Sequence, residues 1–170
     1  MTPYAEQAVS LLKAKGFRIA FAESCTAGLA VGALVEVPSA SDVLSVSFVT
    51  YANEAKIKYA HVSSKTLKRF GAVSEETAGE MAKGVAKEAK AEVGIGISGI
   101  AGPTGGSAEK PIGTVCFGFY VDGTLTTMTC HFGDVGRDKV RAASVQTAIR
   151  RLCELLAAAP KPEKKPAKKK

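Results

Sequence analysis

Apolar positions along the chain change period several times. Over residues 3–15 they recur at helical spacing. Ala5, Ala8, Val9, Leu11 and Leu12 fall near one stripe, and Gly16 stands where the helix must stop. Thr2 and Pro3 occupy the places of an N-cap and a first helical residue. The period then collapses into a short apolar run, FRIAFA (17–22), which reads as a buried strand. A helix of small residues, SCTAGLAVGALVEV, follows, with its start near Thr26 and its stop before Pro38. VLSVSFVTY (43–51) alternates as a strand does. Residues 53–60 and 64–70 read as short helices, the second ended by Gly71. Residues 75–90 read as a longer helix with Ser74 as N-cap. VGIGIS (93–98) is a strand running into a glycine-rich loop. Residues 113–121 and 124–132 form a hairpin about Asp122-Gly123, and a long helix over 137–159 closes the chain.

Strands alternating with helices, plus one hairpin, predict an α/β protein. The expected form is a three-layer α/β/α sandwich around a mixed, mostly parallel sheet of five or six strands. In such sheets ligands gather beyond the strand ends, where the glycine-rich loops lie. A chain of 170 residues suits one domain, assigned here to 1–159, and that size can bury a core without staples. The remainder, 160–170, is a Lys-rich tail expected to be flexible. The net charge of +7 is concentrated there: KPEKKPAKKK holds six Lys and one Glu, so it carries +5 and leaves +2 for the body. The body shows no basic stripe interleaved with aromatics, so no specific nucleic-acid partner is expected; the tail itself could touch nucleic acid or acidic surfaces. No apolar run approaches the roughly 20 residues of a membrane span, and no secretory signal is evident. A cytoplasmic protein without a membrane partner is expected. Cys25, Cys116, Cys130 and Cys153 have neither zinc-site nor disulfide-framework spacing, and His61 and His131 stand apart. Neither a metal nor an organic cofactor is expected.

Four segments carry candidate chemistry. In FAESCTAG (21–28) a strand meets a helix start, so Ser24, Cys25 and Thr26 sit where an oxyanion or phosphate is welcome. Ser24 is either an ordinary N-cap or a nucleophile, and Cys25 is a rival nucleophile, because a thiol at a helix start can have a lowered pKa. Glu23 ends an apolar strand, where a carboxylate needs a partner. In TYANEAKIK (50–58), Lys56 is either a solvated lysine or a base for Ser24, with its pKa lowered by desolvation or by a nearby cation. Tyr51 could relay a proton, and Asn53 could hold a carbonyl or amide. The long loop SGIAGPTGGSAEKPIGT (98–114) offers backbone N–H groups to an anion around Gly99, Gly102, Gly105, Gly106 and Ser107, with Lys110 beside them. It is neither a Walker loop nor a dinucleotide fingerprint. In GDVGRDKVR (133–141), Arg137 and Arg141 share one helix face near its N-terminus. Cations there oppose the dipole, so either Asp134 and Asp138 compensate or the pair clamps a phosphate.

Taken in order, AESCTAG (22–28), FVTYANEAK (48–56), GAVSEETAGEMA (71–82), SGIAGPTGGSAEKPIGTV (98–115) and the GDVGRDKVR helix start resemble the C-terminal domain of the competence/damage-inducible protein CinA. The resemblance runs to about residue 156 and leaves the Lys tail outside. It implies the stand-alone form of the domain, a nicotinamide-nucleotide amidase that converts nicotinamide mononucleotide to its acid and ammonia. It also implies a Ser–Lys dyad with a nearby tyrosine, matched here by Ser24, Lys56 and Tyr51. The nucleotide phosphate would then fall to Arg137, Arg141, Lys110 or the glycine loop. A homo-oligomer is expected. Two other readings stay open: a catalytically silent nucleotide-binding domain, and an interaction protein associated with competence or DNA damage that works through its tail.

Overall fold

The computed structural model describes residues 4–160. The cap expected at Thr2-Pro3 and all but the first residue of the Lys-rich tail lie outside them. Eleven elements follow in order: α1 (Ala5–Lys15), β1 (Ile19–Glu23), α2 (Leu29–Val35), β2 (Phe48–Val49), α3 (Asn53–Ala60), α4 (Ser64–Phe70), α5 (Glu75–Glu88), β3 (Val93–Gly99), β4 (Thr114–Val121), β5 (Thr124–His131) and α6 (Arg137–Ala158). The strands form one sheet in the order β2-β1-β3-β4-β5.

The sheet is mixed, as expected, but parallel and antiparallel pairings are equal in number. β1 runs parallel to β2 and β3, whereas β4 is antiparallel to both β3 and β5. The reason lies in the connections. Asp122 (φ 45°) and Gly123 (φ 91°) make the two-residue turn that only an antiparallel pair can use. The loop between β3 and β4 returns along one sheet edge without a crossover helix.

Alternation sends each strand's residues to two cores. Ile19, Phe21, Ile95, Ile97, Phe117 and Phe119 face the layer of α1, α2 and α6. Ala20 and Ala22 face Met81 and Val85 of α5 and Ala60 of α3. The two faces are filled differently. On the α5 side the sheet presents Gly94, Gly96 and Gly118, and the helix backbone lies almost upon them. A Cβ at Gly94 would overlap the carbonyl oxygen of Ala82, and one at Gly96 or Gly118 would overlap that of Ala78. Gly84 of α5 meets the end of α3 in the same way, against the carbonyl of Ala60. The VGIGIS alternation is therefore a packing device: large residues fill one core and glycines admit a helix to the other.

Two expected elements are shorter than their sequence pattern. The strand expected over 43–51 is reduced to Phe48–Val49 and a single parallel bridge from Leu44 to Ile19. Between them Ser47 Oγ accepts the Phe21 N–H at 2.9 Å, so a side chain replaces a rung of the ladder on this edge strand. The helix expected from Thr26 starts only at Leu29, because Ala27 (φ 50°) and Gly28 (φ 93°) are left-handed. Elsewhere the punctuation acts as read. Gly16 (φ 65°) closes α1, and Ser74 Oγ accepts the Thr77 N–H at 3.1 Å to cap α5. Among the described residues no helix is long and apolar enough to cross a membrane.

Close packing against a backbone predicts opposite signs for two glycine replacements. Gly96→Ala should destabilise the chain by about 3 kcal/mol, because a helix backbone must move. Gly32→Ala, on an exposed helical site with open space around it, should stabilise by about 0.5–1 kcal/mol. Urea midpoints at constant slope check both.

Candidate active site

Three parallel strands end at the same sheet edge, and the chain there is cross-tied by backbone bonds. Ser24 donates its N–H to the Ile97 carbonyl at 2.9 Å, and Thr50 donates its N–H to the Glu23 carbonyl at 2.7 Å. These ties set the end of β1 beside the segment after β2, from which α3 departs. Lys56 lies in the first half of α3 and is only 1% exposed; Ser24 is 8% exposed. Lys56 Nζ stands 3.0 Å from Ser24 Oγ, 2.9 Å from the Thr50 carbonyl oxygen and 3.1 Å from that of Tyr51.

Hydrogen-bond arithmetic gives this cluster its chemistry. An ammonium would donate to all three oxygens. A neutral amine has two N–H groups and one lone pair. The two carbonyls can only accept, so they take the N–H groups, and the lone pair falls to the hydroxyl of Ser24, the one partner able to donate. Burial lowers the Lys56 pKa from 10.5, favouring that neutral form, and the neighbouring Cys25 works in the opposite direction.

Glu23, at the end of β1, is 1% exposed. Its Oε2 accepts the N–H groups of Gly28 and Ala30 at 2.9 and 3.1 Å, and its Oε1 accepts that of Val31 at 2.8 Å. The need for a partner, legible in the sequence, is met by the start of α2. The N–H groups of Gly28, Ala30 and Val31 are therefore taken by Glu23 and are not open to an oxyanion. The N–H groups of Cys25, Thr26 and Ala27 lie outside the Glu23 cap. Cys25 is buried, and burial, followed by the charge of Glu23, pushes its thiol up to about 11. A helix start does not activate this cysteine, and at neutral pH it is protonated.

The remaining candidates divide into those near the pair and those holding loops. Thr26 is buried, and its Oγ1, like that of Thr50, has no hydrogen-bond partner among the described residues. Tyr51 gives Lys56 its carbonyl, while the residue is 61% exposed and its hydroxyl forms no hydrogen bond with Ser24 or Lys56. Asn53 is exposed at the first position of α3. The cations read as a phosphate clamp are engaged with backbone carbonyls. Arg141 Nε and Nη2 donate to the carbonyls of Cys25 and Thr26 at 3.0 and 3.2 Å, so α6 braces the turn after Ser24. Arg137 donates to the Gly102 carbonyl at 3.1 Å, and Lys110 Nζ donates to that of Phe70 at 2.7 Å. Asp134 and Asp138 form no ion pair with either arginine among the described residues.

Gly99 closes β3. Gly102 (φ 79°) and Gly105 (φ 91°) use left-handed backbone, Gly106 packs against Ile112, and Ser107 Oγ accepts the Lys110 N–H at 3.0 Å. This loop borders an open concavity of about 660 Å³ whose walls include Pro103, Gly106, Ile112 and His131. A second concavity, of about 450 Å³, lies between Ser74, Glu75, Lys110 and His131. Neither is lined by Ser24 or Lys56. The Ser24–Lys56 pair is marked out by its hydrogen bonds, and the loop concavity adjoins the same sheet edge. The sequence reading missed Thr50, whose contribution is a carbonyl oxygen that every residue carries and no motif could reveal. It also set aside His131, which borders both concavities and whose Nδ1 lies 3.1 Å from Thr114 Oγ1.

The geometry defines an α/β domain with a buried serine–lysine pair at the carboxyl edge of its parallel strands. The family model described as the CinA C-terminal domain matches residues 1–156, and the chain belongs to that family. It is 49% identical over 143 residues to a protein of Enterobacter agglomerans named nicotinamide-nucleotide amidohydrolase PncC, covering 82% of this chain and 87% of that one. It is 46% identical over 144 residues to a CinA-like protein of Kosmotoga olearia, covering 85% of this chain; there the chain spans about a third of the relative's length, 35%. Among solved structures, the competence/damage-inducible protein CihA from Agrobacterium tumefaciens superposes with a TM-score of 0.86 at 40% identity, over 89% of this chain and 93% of that one. A CinA superfamily protein from Escherichia coli gives 0.87 at 36% identity, over 91% and 89%.

The buried amine makes stability depend on pH in a definite direction. The folded chain holds the Lys56 proton less tightly than the unfolded chain, so the penalty is fully present below the folded pKa. It disappears as pH rises from that value towards 10.5. Melting temperatures of the parent and of Lys56→Met, compared from pH 7 to 10, should shift in the parent's favour as pH rises. A constant difference would mean that the amine titrates as an ordinary lysine.

Proposed function

We propose that this chain hydrolyses the carboxamide of nicotinamide mononucleotide, producing nicotinate mononucleotide and ammonia, with Ser24 as nucleophile and Lys56 as general base. The observation that carries the reading is the 3.0 Å approach of a buried, carboxylate-free Lys56 amine to Ser24 Oγ. The relationship to the Enterobacter agglomerans amidohydrolase supports the choice of substrate.

In the forward step Lys56 Nζ takes the Ser24 proton as Oγ bonds to the carboxamide carbon. The oxyanion that forms is assigned to the N–H groups of Cys25 to Ala27, because those of α2 already serve Glu23. As the tetrahedral intermediate collapses, the Lys56 ammonium returns its proton to the departing nitrogen, and ammonia leaves an ester on Ser24. Water, deprotonated by the same amine, then cleaves that ester and restores the hydroxyl. The pyridinium ring of the substrate withdraws electrons from the carbonyl. Its positive charge also disfavours the ammonium form of Lys56. Proton delivery is assigned to Lys56 alone, since the Tyr51 hydroxyl forms no hydrogen bond with the pair. The glycine-loop concavity offers room for the ribose and phosphate.

Ammonia release from nicotinamide mononucleotide tests the reading. Ser24→Ala and Lys56→Arg should each lose about three orders of magnitude in turnover or more, the second because a guanidinium cannot shed its proton. Cys25→Ala should keep most of it. Turnover in the parent should rise with pH about a midpoint below the ordinary lysine value of 10.5. Retained activity in a folded Ser24→Ala variant would refute the assignment. No release by the parent would leave a nucleotide-binding domain.

A further inference from the structure

The geometry points to Glu23 as a positioning residue that holds Ser24 in line with Lys56 by closing the nucleophile turn upon itself. Its kinetic test rests on the amidase reading; its chemical test does not. Glu23 is the residue before the nucleophile, and its backbone is locked in the sheet, paired to Val49 on one side and Ile97 on the other. Its side chain reaches forward across the turn to the N–H groups of residues 28, 30 and 31. Residues 24–27 are thus spanned by a single side chain, anchored in β1 at one end and on α2 at the other.

No other group in the turn can do this. Gly28, at the cap position of α2, has no side chain, Ala27 carries no acceptor, and Thr26 Oγ1 forms no hydrogen bond among the described residues. The helix start therefore depends on an acceptor that arrives from upstream. The arrangement also settles where a buried negative charge points. Glu23 and Lys56 are the buried charged side chains among the described residues, both beside Ser24, yet no ion pair joins them. A carboxylate turned towards Lys56 would hold it as an ammonium and remove the base. Bound to three N–H groups, it faces the other way.

The test uses Glu23→Gln, which keeps the shape but replaces one acceptor oxygen by a donor facing N–H groups, and Glu23→Asp, which keeps the charge and shortens the reach. Turnover is expressed per folded molecule, with the folded fraction taken from thermal melts. Glu23→Gln should lower kcat about a hundredfold, the cost of a small displacement of reacting groups, with KM nearly unchanged. Glu23→Asp should fall between it and the parent. Alkylation of Cys25 by iodoacetamide, followed by peptide mass spectrometry, should be slow in the parent and severalfold faster in Glu23→Gln, since the turn opens and a negative charge leaves the thiol. Should both variants fail to fold, amide exchange in the parent decides: Gly28, Ala30 and Val31 should exchange slowly. A folded Glu23→Gln variant with the parent's kcat and the parent's Cys25 alkylation rate overturns the proposal, as does open-loop exchange at those three amides. Faster Cys25 alkylation in a family of variants that release no ammonia, parent included, would sustain the positioning role while removing the amidase reading.

Discussion

The carboxyl edge of the sheet is built around a buried acid and a buried base that do not pair with each other. Glu23 is satisfied by peptide N–H groups and Lys56 by peptide carbonyls. A direct ion pair would have been the ordinary solution, because each buried charge on its own costs several kcal/mol. It would also have held the lysine as an ammonium. Distributing the two charges onto opposite ends of backbone dipoles keeps the interior satisfied while leaving the amine without an anion. Desolvation then outweighs attraction, and the pKa of the lysine falls below its ordinary value.

The price of that arrangement is backbone placed to fraction-of-an-ångström tolerance, and the fold provides it in layers. The sheet fixes Glu23 and Ser24 through β3 and the segment after β2. Glycines in β3 and β4 let α5 lie close on the sheet, and Gly84 lets α3 lie close on α5, so Lys56 is carried in on a helix that has little room to shift. From the other layer, Arg141 on α6 takes the carbonyls of Cys25 and Thr26. The start of α2 is thus held on its N–H groups by an anion, and the turn before it on its carbonyl groups by a cation.

Much of this was legible in the residue pattern. The period changes located the helices and strands because each element buries one face and its apolar spacing must follow its geometry. Gly16, Ser74 and Asp122-Gly123 marked their boundaries because only certain residues satisfy those backbone positions. Two boundaries misled. The alternation over 43–51 is that of a strand, yet Ser47 gives its hydroxyl to Phe21 in place of a ladder bond. The small residues after Ser24 suit a helix, yet Ala27 and Gly28 turn left-handed and delay it. For Arg137, Arg141 and Lys110 a motif shows charge and spacing but not the backbone carbonyl that each one also holds.

The sequence by itself determined the class of fold, the turns, and the residue types available to the site: a serine at a strand end, a lysine on the helix after the next strand and a carboxylate in need of a partner. Those are properties of local period and local valence. Tertiary structure alone decided that the serine and the lysine meet, that two backbone carbonyls complete the lysine's shell, and that the carboxylate faces a helix rather than the amine. The pKa of Lys56 follows from its burial, and that burial exists only when the sheet and its two helical layers close.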